Sequence, residues 1–260
     1  MSTPLTEQAA ELAIDGACRA LRLPTIREQA APLAEAAVRD RLTHRVYLAE
    51  VLGAELDDRE ARRRERRIVE ARFPRLKHLA EFDLSAAPSI DSATLATLEA
   101  GAWIAAGEPV VLLGDSGTGK SHLLIGLGIA ACERGLRVRY VTAAGLVNEL
   151  AEAADERTLS RVIARYGRLD LLCLDEFGYV HLDARGAELL FQVLTEREER
   201  ASVAIASNAP FSEWGKTFTD ARLAAAVVDR LTFRAHIIET GAESYRLRVS
   251  RTRKGAPRKS

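Results

Sequence analysis

The sequence predicts an α/β protein in which a five-stranded parallel sheet lies between helices, preceded by a small all-helical N-terminal domain. Three observations carry that expectation. From about residue 108 onward, short apolar runs bounded by turn residues alternate with amphipathic stretches of about ten to fifteen residues, the pattern of βαβ units. The strand-like runs, such as Leu171-Leu172-Cys173-Leu174, are apolar without alternation, as strands covered on both faces are. Toward the N-terminus such runs are missing, and apolar residues instead recur at helical spacing among many alanines.

Along the chain, Thr6 to about Leu56 reads as two or three short helices punctuated by Pro24 and Pro32. A strongly basic stretch, 59–77, follows and ends at a helix break near Phe73-Pro74. Phe82-Asp83-Leu84 and the SAAPSID segment then lead into a helix over roughly 91–105. Strands are expected at 109–113, 138–142, 171–174, 203–207 and 236–239, with helices near 119–134, 145–154, 157–166, 185–199 and 220–234. This organisation gives a helical domain over 1–80, an α/β domain over 81–243 and a basic tail over 244–260.

The formal net charge of the 260 residues is zero, with 37 basic and 37 acidic side chains, and taken whole it hides an uneven distribution. Residues 81–243 carry 15 basic and 24 acidic side chains, the tail carries 7 and none, and the stretch 59–77 carries 9 and 3. An acidic centre is therefore flanked by two basic segments, which points to a polyanionic partner. No apolar run approaches the roughly 18–20 residues that span a bilayer. The N-terminus lacks the basic, apolar and small-residue order of a signal peptide, so a cytoplasmic protein with no membrane partner is expected. Cys18, Cys132 and Cys173 have no metal-ligand spacing and read as reduced, buried thiols.

Gly114-Asp115-Ser116-Gly117-Thr118-Gly119-Lys120-Ser121 matches G-x-x-x-x-G-K-[ST] and lies between the expected strand PVVLL and a helix beginning near Lys120. Glycines there let consecutive backbone N–H groups point at a phosphate, and the helix N-terminus adds its partial positive charge. Lys120 is expected to reach the β- and γ-phosphates of ATP, and Ser121 to offer its hydroxyl to Mg²⁺, an ion that prefers oxygen ligands. Asp175 and Glu176 end the strand LLCL. A carboxylate placed there can hold Mg²⁺ through water, and a second one, aimed at the γ-phosphate, can deprotonate an attacking water. Capping of the next turn is the plainer explanation of the pair. Asn208 ends the following strand, where contact with the attacking water or the γ-phosphate competes with a turn formed by Asn208-Ala209-Pro210. Fast hydrolysis also needs a cation at the γ-phosphoryl oxygens, for which Arg222, Arg230 and Arg234 are candidates, although ordinary solvated arginines explain them equally well.

With these landmarks placed, residues of roughly 60–250 resemble the IstB-like ATP-binding proteins, helper ATPases of insertion-sequence transposition within the AAA+ superfamily, related to the DnaC-type helicase loaders. The resemblance rests on RRIVEARFPRLKHLAEFD, GDSGTGKSHL, LDLLCLDEFGY, GAELLFQVLTEREER, ASNAPFSEWGKTF, AAAVVDRLTFRAHIIE and GAESYRLR, in family order and spacing. It implies that 81–243 is an AAA+ ATPase domain with no C-terminal lid. Gly114 to Ser121 would then bind ATP, Ser121 and Asp175 would hold Mg²⁺, Glu176 would activate water and Asn208 would read the γ-phosphate. It implies too that Arg230 is an arginine finger supplied in trans within a ring or helical oligomer. Arg246, in the terminal motif, gets no assigned role.

The same resemblance implies assembly on target DNA, its deformation, and delivery to a partner transposase of the IstA-like kind. Independently, Arg62, Arg63, Arg64, Arg66 and Arg67 could neutralise duplex DNA phosphates, although Glu60, Glu65 and Glu70 could pair with them along a helix face. No helix–turn–helix or zinc motif is present, so backbone contact and shape reading with little base specificity are expected. A DnaC-like helicase loader would share every catalytic residue. A small-molecule P-loop kinase would leave Glu176, Arg230 and the basic flanks without a task.

Overall fold

The computed structural model describes residues 6–179, 182–218 and 220–241; the basic tail and Arg246 lie outside the described residues. Three helices come first: α1 (Glu7–Leu21), α2 (Pro24–Arg39) and α3 (His44–Ala71). Two short ones follow, α4 (Ser92–Ala100) and α5 (Ala102–Ala105). Then come β1 (Val110–Leu113), α6 (Lys120–Glu133), β2 (Val138–Thr142), α7 (Ala143–Asp155), α8 (Leu159–Gly167), β3 (Leu171–Asp175), α9 (Ala184–Arg197), β4 (Ser202–Ser207), α10 (Trp214–Thr217), α11 (Ala221–Thr232) and β5 (His236–Glu239). The five expected strands are all present within a residue or so of their expected bounds. Compactness divides the chain between Arg64 and Glu65, inside α3, whereas the sequence texture changes near residue 80.

The N-terminal unit has a small core, in which Cys18, Ile26, Ala30 and Val51 are buried together. Pro24 opens α2, where its missing N–H costs nothing. Pro32 lies inside α2 on an exposed position and does not end it, because the carbonyl it leaves without a partner can face water. With so little apolar burial, polar anchors matter. No side chain caps α2 locally; Glu55 of α3 does so instead, accepting from the N–H groups of Thr25 (2.9 Å) and Ile26 (3.1 Å). Arg59 pairs with the other oxygen of Glu55 at 2.8 Å. Burial pushes the Glu55 carboxyl up, yet Arg59 and the two N–H groups outweigh it and hold the value below normal.

In the second unit the strand order is β2-β3-β4-β1-β5, with every neighbouring pair parallel. Alternate residues of each strand feed two cores. Val110, Leu112, Cys173, Ala204 and Ala206 pack with Leu123, Leu124 and Leu127 of α6, while Val111, Leu172, Leu174 and Ile205 pack with residues of α7, α9 and α11. Each fully buried Leu or Ile there contributes about 1.5–3 kcal/mol. Helix α6 carries glycines for close approach: a Cβ at Gly126 would lie 2.6 Å from Leu79, and one at Gly128 would lie 2.7 Å from Phe73. The segment preceding the sheet is thereby pressed onto α6.

The single helix expected over 91–105 is instead two, because Gly101 turns left-handed (φ 77°) and caps α4. Arg197 at the end of α9 is 1% exposed and donates to the carbonyls of Tyr166 (2.5 Å), Leu169 (3.1 Å) and Ser202 (2.5 Å), tying the starts of β3 and β4 together. Burial pushes its pKa down to about 10, so it remains charged. Among the described residues no helix is long and apolar enough to cross a membrane.

Glu55 generates a stability prediction. Because its folded-state pKa is depressed, its contribution is present above the ordinary carboxylate range and is lost as pH falls through the depressed value. Glu55→Ala leaves the N–H groups of Thr25 and Ile26 without an acceptor, and should cost the N-terminal unit about 2–4 kcal/mol at neutral pH, read by urea unfolding. Acidification should narrow the gap between the variant and the parent.

Candidate functional site

Parallel strands deliver their C-terminal ends to one edge of the sheet, and the crevice outside that edge is where α/β proteins bind ligands. Here β1 runs into the loop 114–119, which leads into α6 at Lys120. Gly114 (φ 147°), Gly117 (87°) and Gly119 (100°) take conformations that other residues rarely adopt. Space imposes the same demand. A Cβ at Gly114 would sit 2.4 Å from Thr240 Oγ1, and one at Gly119 would sit 2.7 Å from the Phe82 ring.

The loop is latched to the end of β5. Thr240 N and Oγ1 both donate to Leu113 O (2.7 and 3.1 Å), Asp115 N donates to Gly241 O (3.1 Å), and the Thr118 and Thr240 hydroxyls are 2.6 Å apart. Lys120 is buried and its ammonium donates to the carbonyls of Gly114 (2.6 Å) and Asp115 (2.7 Å), so the cation is held over the hollow of the loop. Beside it lies a pocket of about 320 Å³ lined by Arg75, Lys77, Phe82, Asp83 and the stretch 117–122. The Phe82 ring meets His122 edge-on at 5.4 Å, and His122 Nε2 lies 2.9 Å from His78 O.

Asp175, the last residue of β3, is 4% exposed. The Tyr140 hydroxyl of β2 donates to its Oδ2 at 2.6 Å, and the Glu176 N–H donates to its Oδ1 at 2.8 Å. Burial, then the hydrogen bond to Asp175, push the Tyr140 phenol far up, so it stays a donor. Both carboxylate oxygens are oriented, yet each retains a lone pair for a further donor or a metal-bound water. Glu176 is exposed and left-handed (φ 58°), an unfavourable backbone for a non-glycine residue that turns it out of the strand.

Asn208 follows β4, which pairs on one side with β1 and on the other with β3, so it stands between the glycine loop and the acidic pair. Its turn is clamped: Trp214 Nε1 donates to Ser207 Oγ (3.2 Å) and Ala209 O (3.1 Å), and Ser207 Oγ also accepts from Ala209 N (3.1 Å). Among the described residues, Asn208 Oδ1 is buried without a hydrogen-bond partner, in the manner of a group reserved for a ligand. The donor set fits ATP with Mg²⁺: left-handed glycines, a buried lysine and a helix N-terminus for phosphates, with hydroxyl and carboxylate oxygens for the ion.

Family models match the chain over residues 16–253 to the IstB-like ATP binding proteins. The chain belongs to that family. It is 39% identical to an insertion sequence ATP-binding protein of Sinorhizobium fredii over 88% of this chain and 77% of that one. The ATP-binding protein of insertion sequence IS5376 in Geobacillus stearothermophilus is 36% identical over 90% of this chain and 93% of its own. Among solved structures, DnaI superposes with a TM-score of 0.52 at 20% identity over 63% of this chain and 90% of that one. AMPPCP-bound DnaA from Aquifex aeolicus gives 0.51 at 21% identity, covering 63% of this chain and 49% of that one. Those two likenesses are of fold alone, an α/β unit with a parallel sheet among helices.

The structure thus gathers Gly114 to Ser121, Asp175, Glu176 and Asn208 at one edge. It does not bring Arg230 to them. Arg230, late on α11, pairs with Glu198 at 2.7 Å, stacks on Phe191 at 4.3 Å, and lines a hollow with Pro109 and Ala201, which precede β1 and β4. That is the opposite edge of the sheet, about 13 Å away through the four residues of β1. Arg234 shares this edge and pairs with Glu108 at 3.4 Å, while Arg222 opens α11.

The basic helix face is partly neutralised. Arg62 pairs with Asp58 (2.6 Å), Arg64 with Glu60 (3.2 Å) and Arg67 with Glu70 (2.9 Å), whereas Arg63 and Arg66 are exposed with no carboxylate at ion-pair distance among the described residues. Sequence reasoning did not single out Tyr140, Thr240, Trp214, Phe82 or Gly178. Their partners lie far along the chain, apart from those of Trp214, whose conspicuous FSEWGKTF block was a signal without a role.

Gly178 supports Asn208 sterically: a Cβ there would lie 2.4 Å from Asn208 Oδ1 and 2.8 Å from Ala209 N. Gly178→Ala should therefore cost about 1–3 kcal/mol by denaturant unfolding, with hydrogen exchange rising first around Asn208. Gly215→Ala, where a Cβ meets nothing within 4 Å, is the control and should be neutral or slightly stabilising.

Proposed function

We propose that this protein is an ATP-hydrolysing helper of DNA transposition, which oligomerises on duplex target DNA, deforms it and delivers it to a partner transposase. The observation that carries the reading is the convergence of Lys120, Asp175, Glu176 and Asn208 on one sheet edge, in a family member whose relatives at 36–39% identity are insertion sequence proteins. Those relatives favour transposition over helicase loading, since the two roles share the same catalytic set.

In this reading the loop N–H groups and Lys120 bind the triphosphate. Ser121 and Asp175 would hold Mg²⁺, which would neutralise phosphate charge when bound. Tyr140 and the Glu176 N–H fix the Asp175 carboxylate. Glu176 takes the proton from the attacking water, and Asn208, clamped by Trp214, orients that water against the γ-phosphorus. The remaining need is a cation for the charge that builds on the γ-phosphoryl oxygens. Arg230 can meet it only at a neighbour's site, because it stands at the far edge of its own sheet. Its pairing with Glu198 and Phe191 keeps it ordered in the single chain.

ATP hydrolysis and sedimentation, with and without duplex DNA, test this reading. Lys120→Ala should lose nucleotide binding. Glu176→Gln should keep ATP-dependent assembly on DNA while hydrolysing about 10²–10⁴-fold more slowly. DNA-independent hydrolysis that requires a metabolite would overturn the reading in favour of a small-molecule kinase, and recovery of a replicative helicase instead of a transposase would replace the partner.

Arg63 and Arg66, exposed and without a carboxylate at ion-pair distance among the described residues, make a separate prediction. Replacing both with Ala should weaken duplex binding and lower the slope of log K against log salt by about 2 units in magnitude, at roughly 0.9 per phosphate contact. Replacing Arg62 should instead loosen the N-terminal unit, since Arg62 also donates to Thr25 Oγ1 at 3.1 Å.

A further inference from the structure

A second basic feature lies on the ATPase unit itself. Strand β2 is an edge strand, and beside it a hollow of about 380 Å³ is lined by Arg67 and Arg72 at the end of α3, Arg137 and Arg139 of the β2 segment, and Arg165 and Tyr166 of α8. Three of the five guanidinium groups are held by carboxylates: Arg67 by Glu70 at 2.9 Å, Arg137 by Asp170 at 3.0 Å, and Arg165 by Glu149. Arg72 and Arg139 have no carboxylate at ion-pair distance among the described residues, and the hollow keeps a surplus of two positive charges.

The groups around Arg72 and Arg139 are set in place before any ligand arrives. Arg137 engages both oxygens of Asp170 while its own backbone N–H donates to the same carboxylate at 2.7 Å. Tyr166 is 1% exposed, donates to Glu149 at 2.5 Å, and has its pKa pushed up to about 12 by burial and by that carboxylate. The Arg165 guanidinium lies 5.3 Å from the Tyr166 ring centroid. Arg67 Nε is buried and has no acceptor among the described residues.

From this geometry we infer that the hollow beside β2 is a phosphodiester-binding site, through which Arg72 and Arg139 grip the DNA backbone on the ATPase unit. The inference rests on the DNA-binding reading above and extends it from the α3 face to the sheet edge. Guanidinium forks match the two free oxygens of a phosphate. Base recognition is disfavoured, because Tyr166, the one aromatic ring lining the hollow among the described residues, is covered and offers no face for stacking. The exposed Arg66 precedes Arg67 on α3, so cations continue from the hollow along the helix and suit a chain of phosphates better than a single small anion.

The test is fluorescence anisotropy with a labelled duplex, titrated by the full chain across a salt series in the presence of ATP. Arg72→Ala/Arg139→Ala should lose about tenfold or more in affinity and about 2 units of salt slope, with ATP affinity and melting temperature near those of the parent. Arg72→Lys/Arg139→Lys keeps charge without the forks, and should retain the slope while losing part of the affinity. If the parent binds duplex and the alanine pair binds it equally well, the hollow is not the site, although the DNA reading stands. If the parent fails to bind duplex at all, both fall. Tripolyphosphate or poly-glutamate competing through Arg72 and Arg139 as strongly as duplex DNA of equal charge would overturn the assignment to DNA.

Discussion

The placement of β4 between β1 and β3 determines where each chemical group of this molecule stands. A chain that ran straight across its sheet would leave the glycine loop and the acidic strand end side by side with no polar residue between them. Here the connection from β1 travels to the far edge at β2 and returns through β3 to β4, so Ser207 pairs in register with Leu113 while Ile205 pairs with Leu174. Asn208 is consequently set down between the loop and Asp175. Strand β4 can occupy that position because all six of its residues tolerate complete burial, and the small Ala204 and Ala206 let α6 approach its face.

Three anchors then fix the geometry of that edge against motion. Thr240 and Gly241 latch the loop from the β5 side, Tyr140 holds Asp175 from the β2 side, and Trp214 clamps the Asn208 turn from beyond β4. Each is a hydrogen bond from an element that plays no part in the motif it supports. Strain sits where reactivity is proposed: Glu176 is left-handed, and Asn208 Oδ1 lacks a partner among the described residues. Stabilising interactions around these positions hold them in conformations that the local sequence alone would not favour.

This division explains what could be read from the sequence. Strand positions, the glycine loop, the acidic pair and the helix starts were legible because they depend on neighbours within a few residues: a continuous apolar run, a G-x-x-x-x-G-K-[ST] string, a turn. The order β2-β3-β4-β1-β5 was not, since no local periodicity encodes which strand lies next to which. Nor were the contacts of Tyr140 with Asp175 or of Gly178 with Asn208, because those pairs are brought together only by that order. Helix α3 runs on through the basic stretch to Ala71, and its arginines looked like one uniform patch in sequence. In space they separate into Arg62, Arg64 and Arg67, which are paired, and Arg63 and Arg66, which have no carboxylate at ion-pair distance among the described residues.

The same sheet that gathers four groups at one edge keeps Arg230 at the other, and a site that needs this arginine is complete only between two copies of the chain. Mixed-subunit hydrolysis measures that directly. On the proposed mechanism, Glu176→Gln keeps Arg230 but loses the carboxylate that would activate water, whereas Arg230→Ala keeps that carboxylate but would donate no cation. Each alone should hydrolyse ATP slowly, and an equimolar mixture should hydrolyse it well above the mean of the two, because Glu176→Gln subunits supply Arg230 to intact sites. A mixture no faster than that mean, or an Arg230→Ala protein that hydrolyses as fast as the parent, would contradict completion in trans.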